Sequence, residues 1–125
     1  MFTIRKMSIL SMEAIFVEMS SFEKYRPRYL TDVAYGLLQQ ELLVDPRKGN
    51  TISSTGGLRK IRWLDKKRGK GKRSGTRIIY YFYDKGDQFW MFLIYDKDEM
   101  ADLTKHQKKA FHQALRNEIR ARSLL

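Results

Sequence analysis

Residues 56–83 read GGLRKIRWLDKKRGKGKRSGTRIIYYFY, which places two strand-like runs on either side of a long basic loop. From Arg59 to Arg77 the chain has ten cations and a single acid, Asp65, so this segment carries +9 of the formal net charge of +11. Crowding of like charge is unfavourable and is relieved when a polyanion approaches. The charge pattern therefore indicates nucleic acid as the partner.

Both flanks of this loop have the residue pattern of strands. In residues 58–63, alternation puts Lys60 and Arg62 on one face and the apolar side chains on the other. After Arg77, residues 78–83 are all β-branched or aromatic, which is typical of a strand packed on both faces. If the two strands pair as a hairpin, Lys60, Arg62 and Arg77 converge on one side of a sheet.

The remaining patterns predict an α+β fold in the order strand-helix-helix-strand-strand-strand-helix. The other predicted strands are residues 13–18 and the apolar run 89–95, and the last helix runs from about Lys105 to beyond Arg120. Three strands in succession predict an antiparallel meander, with the helices packed on one face and the cations on the other.

Local signals predict where the helices begin and end. Ser20 with Glu23, and Thr104 with Gln107, have the spacing of capping boxes. Thr31-Asp32 begins the second helix and Asp45-Pro46 ends it. Pro27 predicts a short or kinked first helix, because the residue before proline disfavours helical geometry.

The length and composition of the chain favour one domain. The 125 residues are enough for a single core, which we place at residues 12–125, while residues 1–11 are a first strand, a tail or translated sequence upstream of a start at Met12. With no cysteine and only two histidines, no metal site or disulfide is expected. No apolar run is long enough for a membrane span, and no signal peptide is evident, so we expect a soluble, cytoplasmic protein.

Several segments together are similar to one known family. The strings FEKY, STGGLRK, GKRSGTRIIYY and LIYDKDEMADLT occur in this order, between about Met12 and the final helix. They resemble the HigB branch of the RelE/ParE toxin superfamily. The resemblance implies a RelE-like small antiparallel sheet with helices and a ribosome-dependent endoribonuclease that cuts mRNA and stops translation. It also implies a HigA-like helix-turn-helix antitoxin as partner. The antitoxin binds operator DNA, and the toxin is associated with that DNA only through the antitoxin.

The resemblance also assigns candidate site residues. The family's basic residues on the second strand of its sheet fall on Lys60 and Arg62, its arginine on the next strand falls on Arg77, and its basic residue after the last strand falls on Lys97. Asp98 stands where relatives often have arginine or asparagine. Thr104 stands where well-studied relatives have a base-stacking aromatic, so stacking falls to other aromatic side chains. The candidates are Tyr81, Tyr83 and Tyr95.

RNA cleavage by these residues requires neither metal nor cofactor, because the 2′-OH of RNA is the nucleophile. The enzyme orients this oxygen, accepts its proton, stabilises the phosphorane and protonates the departing 5′ oxygen. A lysine among other cations gives up its proton more readily, so Lys60 is the candidate general base. Arg62 and Arg77 suit phosphate stabilisation through their two-pronged guanidinium groups, and Lys97 is the candidate general acid.

The loop between the two strands is either a solvated connector or a docking patch for ribosomal RNA, and we favour docking. Its candidate RNA-binding cations are Lys66, Lys67, Arg68, Lys70, Lys72 and Arg73. Two other functions stay open: a gyrase inhibitor of the ParE kind, and a basic module that binds nucleic acid without cutting it. Without the family resemblance, Lys60, Arg62 and Arg77 are better read as a non-catalytic contact.

Overall fold

The computed structural model describes residues 2–9, 12–63 and 75–123 of the chain. The six candidate cations of the basic loop, between Lys66 and Arg73, lie outside these ranges. Their assignment to RNA docking therefore stays a prediction.

The described residues form six strands and three α-helices. They are β1 (Phe2–Ile9), β2 (Met12–Met19), α1 (Ser20–Tyr29), α2 (Asp32–Val44), β3 (Asn50–Thr51), β4 (Arg59–Trp63), β5 (Thr76–Tyr83), β6 (Gln88–Asp96) and α3 (Lys105–Ser123). The α+β class and the seven predicted elements, in the predicted order, are confirmed. Two elements are additional: β1, which uses the N-terminal residues in an antiparallel pair with β2, and the short β3, which pairs with β4.

All six strands form one sheet in the order β1-β2-β6-β5-β4-β3. The predicted β4-β5-β6 meander is antiparallel, but β2 and β6 run parallel, so the sheet is mixed rather than wholly antiparallel. A parallel pair requires a long crossover between its strands. Here α1, α2 and the rest of the meander provide that crossover, which sequence periodicity does not reveal.

The helices lie on both faces of the sheet. On one face Phe22 of α1 and Leu38 of α2 belong to the same buried cluster as Phe89 of β6, whereas on the other Leu115 of α3 packs in a cluster with Trp90. The prediction that all helices pack on one face of the sheet is therefore wrong for α3, which packs on the face opposite α1 and α2. The physical reason is that β5 and β6 are apolar on both sides, so each face must be covered.

β6 contributes to both clusters by alternation, and a β-bulge resets that alternation at Phe92. The pairing with β5 shifts between Ile79 and Tyr80, which oppose Leu93 and Met91. Phe92 is the extra residue, and it packs in the α3 cluster together with Leu93. Such a bulge changes which alternate residues face each side. The strand is buried along most of its length, as its apolar run predicted.

The helix ends follow the local signals only in part. Thr104 and Gln107 form the reciprocal capping box, with N···O distances of 2.9 and 3.1 Å, and Thr31 accepts a bond from the Ala34 N–H at 3.1 Å. The predicted cap at Ser20 is wrong, because α1 begins directly after β2 with Met19 at the N-cap position and no side-chain bond. Pro27 lies inside α1.

Tyr80 ties the sheet to the segment after α2. Its buried hydroxyl lies 2.9 Å from the carbonyl oxygen of Pro46 and 2.7 Å from that of Lys48, and can donate to either. We expect Tyr80→Phe to lower the free energy of unfolding by about 1–2 kcal/mol, because two partly buried carbonyl acceptors lose their donor. Urea titration measures this. Tyr25→Phe, at an exposed position of α1, is the matched control and should change stability by less than about 0.5 kcal/mol. Equal effects of the two changes would contradict this role.

Candidate functional site

The register of β4, β5 and β6 places the predicted cations on one face of the sheet. Arg62 lies opposite Arg77, and Arg77 lies opposite Tyr95. Lys60 lies opposite Ile79, two residues along from Arg77 on the same strand. Directly opposed residues of antiparallel strands have side chains on the same face. The convergence predicted for the hairpin is therefore present in the backbone, on the face that α3 also occupies.

Lys60, Arg62 and Tyr95 lie on the floor of a cleft of about 480 Å³, which Arg77 does not line. One wall is the segment 48–53, which includes β3, and the opposite wall comes from the loop before α3 and from the helix itself. The charged or polar side chains that line the cleft are Lys48, Asn50, Thr51, Ser53, Lys60, Arg62, Tyr95, Asp102 and Lys108. The site is thus a cleft beside α3 and not the open sheet face that the sequence predicted.

The three predicted cations differ in exposure. Arg62 is exposed and the Lys60 side chain is 28% exposed, whereas Arg77 is only 2% exposed. The Nη1 atom of Arg77 donates to the carbonyl oxygen of Gly75 at 2.8 Å. The predicted direct contact of Arg77 with a phosphate does not agree with this burial. The reason is that β5 is a central strand whose start is covered on both sides.

Lys60 forms an ion pair that the sequence did not suggest. Its Nζ atom lies 3.1 Å from Oδ1 of Asp102, in the loop between β6 and α3. The hydrogen bond from Lys60, followed by its positive charge, lowers the pKa of Asp102 below the ordinary 3.8, and Lys97 and Lys108 add to the effect. The lowered pKa keeps the carboxylate ionised, so the pair is present at neutral pH and is lost only as the pH falls below that value.

This ion pair leads to a prediction about RNA binding. Asp102 is the one acid among the described residues that line the cleft, so a phosphate entering the cleft meets its negative charge. We expect Asp102→Asn to bind RNA about two- to fivefold more tightly at low salt, the size of one exposed charge interaction. Fluorescence anisotropy with an uncleavable 2′-O-methyl RNA measures this. Asp87→Asn, in the turn between β5 and β6, removes the same charge outside the cleft and should have a smaller effect. Weaker RNA binding by Asp102→Asn would contradict the role of the carboxylate.

Lys97 lies beside the cleft and not among the residues that line it. It is exposed just after β6, and its backbone N–H donates to the Gly75 carbonyl oxygen at 3.3 Å. Its side chain is close enough to lower the pKa of Asp102. The structure therefore places the charge of Lys97 within reach of Asp102, the partner of Lys60.

The candidate stacking tyrosines separate into two environments. Tyr95 lines the cleft but is only 5% exposed, and burial, together with the charge of Asp102, raises the pKa of its hydroxyl, while Arg77 opposes the shift. Tyr81 packs on Trp90 with ring centroids 5.5 Å apart and does not line the cleft; Tyr83 stacks on the same indole at 4.8 Å. Neither Tyr81 nor Tyr83 lines this cleft, and Tyr95 is buried, so base stacking by these three tyrosines stays a prediction without structural support.

Comparison with known proteins gives a limited result. No protein-family model matches the chain. Among solved structures, the chain is similar to a double mutant of the Escherichia coli toxin RelE in the free state, with 17% identity over 68% of this chain and 84% of that chain and a TM-score of 0.47. A similarity of this extent carries no functional conclusion of its own. No helix in the described ranges is long and apolar enough to cross a membrane.

Sequence reasoning missed two charged residues of the cleft that lie near the start of α3. Asp102 lies in a loop without periodicity, and no signal in the sequence points to its contact with Lys60. Lys108 is different, because Lys105, Lys108, Lys109 and His112 recur at helical spacing after the Thr104 cap. This pattern was sufficient to place them on one face of the helix.

Proposed function

We propose that this chain is the toxin of a type II toxin–antitoxin system, of the HigB branch of the RelE/ParE superfamily, and that it cleaves mRNA on the ribosome. Two things support the proposal: the segments that resemble the family, and the cleft that gathers their cations. The observation that carries it is the position of Lys60 and Arg62, which alternation along β4 puts on one face, beside a space large enough for a small ligand.

In the proposed reaction, the phosphodiester enters the cleft and displaces Asp102 from Lys60. Lys60, the proposed general base, accepts the proton of the RNA 2′-OH, and this oxygen attacks the adjacent phosphorus. Arg62, exposed at the floor, stabilises the charge of the phosphorane. Lys97 donates a proton to the departing 5′ oxygen. The products are a 2′,3′-cyclic phosphate and a 5′-hydroxyl.

Arg77 takes a different role from the one that the sequence suggested. Its burial and its bond to Gly75 make it a positioning residue, which fixes the start of β5 opposite Arg62. Asp102 is not proposed as the general base, because a carboxylate with a lowered pKa is a weak proton acceptor at neutral pH.

The proposed partners and location follow from the same function. A HigA-like helix-turn-helix antitoxin binds the toxin and alone contacts operator DNA, and the toxin acts in the cytoplasm on translating ribosomes. Operon neighbours give a direct check, since the proposal requires an open reading frame for such an antitoxin beside this one.

The test is to add the purified protein to translating ribosomes and to map mRNA ends by primer extension. We expect new ends within the translated frame, and none when translation is blocked before elongation. Supercoiling by gyrase in the same preparation should be unaffected; its inhibition would favour the ParE-like alternative. Stable binding of RNA that remains intact on the ribosome would favour the non-catalytic module and refute the enzyme.

A further inference from the structure

A second cleft lies beside the first, over the beginning of α3. It has a volume of about 520 Å³. The residues that line it are Ser53, Ser54, Lys105, Lys108, Lys109 and His112. The four helical residues among them follow the spacing i, i+3, i+4 and i+7, which puts them on one side of α3. None of the described residues that line this second cleft is acidic.

The charge of this helix end is opposite to what helix stability favours. The first turn of α3 contains no acid, and Lys105 is its first residue. The N-terminal end of a helix carries a partial positive charge, so cations there are unfavourable by several tenths of a kcal/mol. Lysines that lower the stability of their own helix become favourable when an anion lies above them, which makes this end of α3 suited to a phosphate.

The loop opposite the helix is held in a defined geometry. Gly56 adopts φ +79°, and a Cβ atom at this position would lie 2.8 Å from the imidazole of His112, so only glycine allows the approach. Ser54 is also left-handed, with φ 63°, which is uncommon for a residue with a side chain. The Thr55 hydroxyl donates to the Ile52 carbonyl oxygen at 2.6 Å. Ser53 and Ser54 line the cleft together with the lysines of α3.

The two clefts adjoin each other. Ser53 and Lys108 line both, and the Nζ atom of Lys108 lies 3.4 Å from Oγ of Ser53 at their boundary. Asp102 lies in the first cleft, but the described residues that line the second are uncharged or basic, so the phosphates of a strand that enters the second cleft meet no further acid there. Volumes of about 480 and 520 Å³ are those of small-ligand sites and suit the nucleotides of one strand.

We propose that the second cleft holds the single-stranded RNA next to the cut, through phosphate contacts to Lys105, Lys108 and Lys109 with hydrogen bonds from the two serines. This inference rests on the proposed function for the identity of the strand, but its binding test does not require cleavage. The second cleft is a binding surface, and Lys105 and Lys109 take no part in the chemistry.

The test compares Lys105→Gln/Lys109→Gln with the unmodified protein, using 2′-O-methyl single-stranded RNA that cannot be cut. Lys108 is left in place because it also lines the first cleft. Each phosphate contact to a single strand contributes about 0.7 to the slope of log affinity against log salt. We expect the double variant to lower that slope by about 1.4, and to bind about 20-fold more weakly at 0.1 M salt, with the difference vanishing towards 1 M.

The matched control is Lys24→Gln/Lys85→Gln, which removes the same charge from exposed positions that line neither cleft. Equal losses in the two variants, or no loss in either, would overturn the proposal. A loss seen only with duplex RNA would also overturn it and would assign the surface to structured RNA. If the lysines matter for binding but the ribosome assay detects no cleavage, the binding surface stands and the proposed enzymatic function fails.

Discussion

Lys60→Ala is expected to reduce mRNA cleavage on translating ribosomes by about 100- to 10,000-fold, the usual contribution of a positioned general base. Lys60 is the residue that the register places at the floor of the cleft, and it is partly exposed there. Quantitative primer extension at saturating protein measures the loss. Stability should hardly change, because exposed ion pairs such as that with Asp102 contribute about 0–1 kcal/mol.

Lys60→Arg separates proton transfer from charge. Arginine keeps the positive charge and cannot act as a base at neutral pH, so RNA binding should persist while cleavage is still lost. Lys85→Ala, exposed in the turn between β5 and β6, is the matched control and should leave cleavage unchanged. Full cleavage by Lys60→Arg would reduce Lys60 to a phosphate contact, and full cleavage by Lys60→Ala would remove it from the site altogether.

Gly49→Ala is expected to lower the free energy of unfolding by about 2–4 kcal/mol, from overpacking together with a strained left-handed backbone. Gly49 has φ +88°, and a Cβ atom there would lie 2.4 Å from the carbonyl oxygen of Lys60. Relief requires β3 to move away from β4, whose pairing joins Asn50 to Lys60. The same movement displaces the floor of the cleft, so cleavage should fall as well. Urea unfolding and the ribosome assay measure the two effects.

Gly36→Ala is expected to change the free energy of unfolding in the opposite direction. Gly36 lies inside α2, where an added Cβ meets no atom within 4 Å. Alanine in a helix interior should therefore raise the free energy of unfolding by about 0.5–1 kcal/mol. If Gly49→Ala were as stable as the unmodified protein, the close packing of β3 on β4 would be wrong.

The sequence was most informative where structure depends on neighbours along the chain. The capping bonds of Thr104 and Gln107 join residues three apart, and alternation in β4 depends only on the pleat of one strand, so both could be predicted. Local rules failed where neighbouring residues favoured a different start or course of a helix. Met19 continues β2 directly into α1 and replaces Ser20 at the cap, and Pro27 is accommodated inside that helix.

The rest depends on which elements become neighbours in space. The apolar stripe of α3 indicates that the helix packs, but not on which face, and only the assembled sheet leaves the β6 side near Trp90 to be covered by Leu115. The composition of residues 78–83 indicated a strand packed on both faces, but it did not indicate that Arg77, at the start of this strand, is buried as well. Asp102 approaches Lys60 across 42 residues, a contact that no local pattern contains.

The central proposal is that RNA bound at Lys60 and Arg62, on the floor of the cleft, is cleaved by attack of its own 2′-OH. The most direct measurement places a single 2′-deoxynucleotide immediately 5′ to the mapped cut in an otherwise unmodified mRNA on the ribosome. The account predicts that this one substitution abolishes cleavage there, and that the unmodified message yields a 2′,3′-cyclic phosphate and a 5′-hydroxyl. Undiminished cleavage of the deoxy-substituted message, with 3′-hydroxyl and 5′-phosphate ends, would contradict it.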